Sequence, residues 1–82
     1  MGNVKMSNII TDVILYIKGH LQESDRTIIE GALLSSHGII DVTIRDTRPH
    51  FIFVKYMPKT CSSLSLVNEI RTVGFSAKII GI

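Results

Sequence analysis

Eighty-two residues, 45% of them hydrophobic and 20% charged, describe one small folded domain rather than a disordered chain. A net charge of +2 is too small to point to nucleic acid, which is not expected as a partner. No uninterrupted apolar stretch of about 18 residues occurs, so no membrane span is expected in this chain.

Residues 1–11 are polar with scattered apolar side chains and read as an N-terminal lead-in, with the domain proper over residues 12–82. The lead-in lacks the apolar segment of a secretory signal, and Met6 breaks the myristoylation pattern that Met1-Gly2 begins. Val13, Leu15 and Ile17 then alternate with the residues between them, a period of two that predicts a first strand ended by Gly19. Ser24 or Asp25 is placed to cap a helix whose apolar face is Ile28, Ile29, Ala32, Leu33 and Ser36. Gly31 in its middle lowers helix propensity and invites a close approach to the sheet, while His37-Gly38 stops the helix.

A second strand runs from Ile40 to Arg45, with Ile40, Val42 and Ile44 on one face. Asp46-Thr47-Arg48-Pro49 is turn chemistry. A third strand follows from Phe51 to Tyr56, with Ile52, Val54 and Tyr56 facing one way, and Met57-Pro58-Lys59 breaks it. Ser62 or Ser63 caps a second helix with Leu66, Val67, Ile70 and Val73 on its apolar face. Gly74 ends that helix, and Phe75 to Ile82 forms the last strand. The order β-α-β-β-α-β predicts an α+β, ferredoxin-like sandwich: a four-stranded antiparallel sheet with both helices on one face.

Strand-ending Gly19, helix-ending Gly38 with Ile39, the alternating Val42 and Ile44, Tyr56 with Pro58, Ser62, Ile70 and Gly74-Phe75 occur in order and at near-constant spacing. In this the chain resembles the heavy-metal-associated domain of copper chaperones and metal-transporting P-type ATPases, from Asp12 to Ile80. The resemblance implies that the corner Gly19-His20-Leu21-Gln22-Glu23-Ser24-Asp25 corresponds to the family's GMxCxxC metal loop. His20 then stands for the Met, Leu21 for the small residue, and Gln22 and Asp25 for the two cysteines. Thiolates suit soft Cu(I), whereas Gln is a poor ligand for it and Asp suits hard ions. The family's copper chemistry therefore carries over to no residue here. The only cysteine, Cys61, excludes an internal disulfide and any CxxC pair and fits a reducing compartment.

The topology places His20, Gln22, Glu23, Asp25, the 46–50 hairpin and Val73 to Phe75 at one end of the domain. His37, Met57 and Cys61 fall at the other. His20 reads as a half-buried support for the corner or, joined to Glu23, Asp25 or His50, as a nitrogen-and-oxygen site for a divalent ion. The 23–25 segment also has a complete account as a helix start. Cys61 reads as a small apolar residue or, with Met57 and His37, as a soft-metal site. Gly19, Gly74 and Phe75 support the corner. Arg26, Arg45, Arg48, Lys55 and Lys59 read as a solvated surface.

No nucleophile-base pair, glycine-rich phosphate loop or carboxylate dyad is visible, so an enzyme is not expected. Phe51 and Phe53 share a strand, but the pattern of basic residues and paired aromatics of RNA-binding sheets is absent. The expectation is a non-enzymatic, cytoplasmic domain of a heavy-metal transport or trafficking system that docks on a protein partner or belongs to a parent metal-transporting ATPase. Its cytoplasmic place includes that of a cytosolic domain of a membrane protein. The alternative is a binder of Zn, Mn or Ni through His20 and nearby carboxylates.

Overall fold

The computed structural model describes residues 9–81. Six elements follow in the predicted order: β1 (Thr11–Ile17), α1 (Glu23–Leu34), β2 (Ile39–Arg45), β3 (Arg48–Tyr56), α2 (Ser63–Thr72) and β4 (Ala77–Gly81). The sheet is antiparallel throughout, in the order β2-β3-β1-β4. Most of the lead-in lies outside the described residues, and β1 already begins at Thr11.

Period-two alternation sends Val13, Leu15 and Ile17 of β1 and Ile52, Val54 and Tyr56 of β3 to the same face. Helical periodicity brings Ile29 and Leu33 of α1 and Leu66 and Ile70 of α2 down onto them. With Val42 these residues form the core, and no polar side chain is buried among the described residues. One face of the sheet thus carries both helices, and the other carries none.

Several details differ from the sequence reading, among them the start of β4 at Ala77 rather than Phe75. Ile28 is 48% exposed, because α1 narrows its buried stripe to Ile29 and Leu33. On β2, Ile39 pairs with Tyr56 and Asp41 with Lys55, so Ile40 is an extra residue with no partner. That bulge turns Ile40 outward, at 47% exposure, and Ile39 takes its place against the core. The hairpin turn is only Asp46-Thr47, and β3 starts at Arg48. Pro49 is accommodated because the β2 pairing jumps from Ile44–Ile52 to Arg45–Arg48, leaving residues 49–51 opposite no β2 residue. A missing N–H there breaks no ladder bond to β2.

The helix ends are closed by side chains and glycine. Ser62 caps α2: the Ser65 N–H donates to Ser62 Oγ at 3.1 Å, and the Ser62 N–H donates to Ser65 Oγ at 3.2 Å. After α1, Gly38 adopts φ +90°, and a Cβ there would lie 2.7 Å from Thr60 Cβ. The close approach expected at Gly31 is not found, since nothing lies within 4 Å of the place a Cβ would take.

Candidate functional site

The corner between β1 and α1 is held from below and open above. The Lys18 N–H donates to the Ser76 carbonyl at 2.9 Å, tying the end of β1 to the segment before β4. Gly19 then turns with φ +90°. Leu21 packs on the core, whereas Gly19, His20, Gln22, Glu23 and Ser24 are exposed. Gln22, rather than Ser24 or Asp25, is the N-cap of α1. Asp25 lies three residues on, and its Oδ2 accepts the Gln22 backbone N–H at 3.0 Å. The carboxylate thus satisfies a backbone donor at the helix entrance and complements the helix dipole.

The neighbouring segments come to the same end of the domain, as the topology predicts. Arg26 of α1 reaches Asp46 of the hairpin at 3.1 Å, a link the sequence reading missed in counting Arg26 as solvated. Because Asp46 is 96% exposed, the pair contributes little to stability. Gly74 follows α2 with φ +98°, and Phe75 packs partly buried against the core. His20 is exposed, not tucked beneath the corner. The half-buried histidine is His50, whose Nδ1 lies 2.8 Å from the Ile17 carbonyl. The ring of His50 also stacks on Tyr16, with centroids 5.8 Å apart.

The candidate ligands are therefore differently engaged. Asp25 is spent on the backbone of Gln22, His50 on that of Ile17, and His20 and Glu23 face solvent. Among the described residues, no group of three or more His, Cys, Asp or Glu side chains is placed to hold a metal ion. With no thiol at the corner, the residues present do not fit a soft ion such as Cu(I). At the opposite end, Cys61 and His37 line one shallow depression with Thr60, Ser65 and Glu69, and Met57 is not part of it. Burial pushes the Cys61 thiol up from its ordinary value, which keeps it protonated and a weak nucleophile at neutral pH.

The overall fold is shared with solved structures. The N-terminal domain of a potential copper-translocating P-type ATPase from Bacillus subtilis superposes with a TM-score of 0.80. That match covers 89% of this chain and 90% of the other at 20% identity. This is the fold of heavy-metal-associated domains. The same fold is found in oxidized MerP from Ralstonia metallidurans, at TM-score 0.79 and 14% identity over 87% of this chain and 97% of that one. It is found again in a copper-binding domain from HMA7, a P-type ATPase, at TM-score 0.78 and 18% identity over 85% and 93%. No protein-family profile and no curated protein sequence matches the chain. Identities this low establish the fold and leave the chemistry of the corner to the residues actually present.

Proposed function

We propose that this chain is a non-enzymatic docking or regulatory domain of a heavy-metal transport or trafficking system. It acts in the cytoplasm on a protein partner or within a parent metal-transporting ATPase. Support comes from the heavy-metal-associated fold together with one contact at the corner: the carboxylate of Asp25, aligned by the resemblance with a metal-binding cysteine, accepts the Gln22 backbone N–H instead. In this reading the frame is retained for its surface and the metal loop has become a helix cap. No resident metal takes part.

The test is a backbone-amide NMR titration with Cu(I), Zn(II) and Mn(II) in turn, followed by addition of the cytosolic domains of metal-transporting ATPases. The expected result is no saturable shift in residues 19–25 or 46–50 with any ion, and saturable shifts with an ATPase domain. Micromolar Zn(II) or Mn(II) binding at the corner, weakened by His20→Ala, would replace this reading with the divalent-metal one. Silence toward every ATPase domain would remove the docking role.

A further inference from the structure

The helix-free face of the sheet carries a feature that neither metal handling nor the corner uses. Tyr16 of β1 stands opposite Phe51 of β3, with ring centroids 5.6 Å apart and planes tilted by 59°. Phe53, two residues along β3, shares their face opposite Ile14. These three aromatic side chains are only partly buried. Cations already sit over two of the rings: Arg45 lies 5.4 Å from the Phe53 centroid, and Arg48 lies 5.8 Å from that of Phe51. Lys78 of β4 flanks Tyr16 on its other side. Tyr16, Arg48, Pro49, His50 and Phe51 line an open depression of about 240 Å³.

We propose that this face binds single-stranded RNA, with Tyr16, Phe51 and Phe53 as the stacking platform and Arg45, Arg48 and Lys78 as phosphate contacts. An unpaired base has an apolar π-face that stacks on an aromatic ring, and its linking phosphate seeks a guanidinium or ammonium nearby. The platform offers both within one strand spacing.

Charge sorts the face in the same sense. Among the described residues, the positions paired with Tyr16 and Phe51 on this face carry no carboxylate, whereas Phe53 shares a depression with Asp12 and Asp41. Both of these acids are offset by Lys55, which pairs with Asp12 at 3.3 Å and stands opposite Asp41. A net charge of +2 for the whole chain conceals this local excess.

RNA-recognition sheets use aromatics of adjacent central strands in this way, with a third-strand pattern ending F-V-x-F/Y. Phe53-Val54-Lys55-Tyr56 meets that ending, and Phe51 takes the earlier aromatic position. Pro49 and His50 replace the basic-glycine opening, so the linear pattern is incomplete. The second aromatic comes from β1 and becomes visible only through the strand register.

The experiment is fluorescence anisotropy with a labelled oligouridine of about ten nucleotides at low salt, long enough for one such platform. The same-length DNA and a polyglutamate peptide serve as competing probes. Saturable RNA binding is expected, weakened about tenfold by Tyr16→Ala or Phe53→Ala, the size of one lost stacking contact. Arg45→Gln with Arg48→Gln, which keeps all three aromatic side chains, should weaken binding and flatten its salt dependence. Circular dichroism confirms that each variant is folded. The proposal falls if RNA does not bind at millimolar protein, if DNA or polyglutamate competes equally, or if the arginine pair is indifferent. These readouts come from the open sheet face, so they are separate from the corner's response to metals.

Discussion

Asp25 shows how one side chain decides what a corner can do. A carboxylate at the third position of a helix has two uses: it can wait for a cation, or it can satisfy an amide that the helix leaves without a partner. Here it does the second, accepting the Gln22 N–H at 3.0 Å. Asp25→Ala removes that acceptor and the charge that favours the helix start, at a cost of about 1 kcal/mol. A urea titration should show a lower midpoint, by that cost divided by the slope, with the slope itself unchanged. A gain in stability would mean that the carboxylate is strained there rather than bonded. The sequence made this capping role readable, since acidic residues at a helix entrance are common, but it misplaced the cap itself. Gln22 is an unusual N-cap, and only the backbone path identifies it.

At the scale of elements, α1 and the turn that follows it hold two glycines with opposite meanings. Gly31 lies mid-helix with open space around it, so it contributes only the entropic cost of its freedom in the unfolded chain. Gly31→Ala should stabilise the domain by about 1 kcal/mol. Gly38 has φ +90° and faces Thr60 at a distance no Cβ tolerates. Gly38→Ala should destabilise it by about 2 kcal/mol or more, through left-handed strain and the displaced Thr60. Thermal melts of the two variants side by side check both signs. Sequence periodicity found the helix and its stop but not this contrast, because the space around a glycine depends on what packs there from elsewhere. The same limit explains Ile39 and Ile40. Alternation alone sends Ile40 inward, and a bulge, which is a property of the pairing with β3, reverses the two.

For the whole molecule, the fold was legible because every element announces its period and its ends, and the six together allow few arrangements. The sites were less legible because they arise where distant segments meet. Tyr16 beside Phe51, His50 against Ile17 and Arg26 with Asp46 each join residues at least 20 positions apart. The small size of the domain also sets how much damage it can absorb. Leu15 is wholly buried at the centre of the sheet face that both helices cover. Leu15→Ala should cost about 3 kcal/mol, a large share of what a domain of this length possesses. Calorimetry should show a melting temperature lower by 10 °C or more, about 4–8 °C for each kcal/mol.

The bulge at Ile40 has one more effect. β2 forms an outer margin of the sheet, where backbone donors and acceptors could recruit a strand from another copy and start a growing ribbon. An extra residue in that strand bends it and puts the hydrogen-bonding pattern out of step with any straight strand laid alongside. Ile40 thus works as a guard against polymerisation, apolar though it is. Shortening the strand by that single residue would leave a flatter margin more prone to fibres.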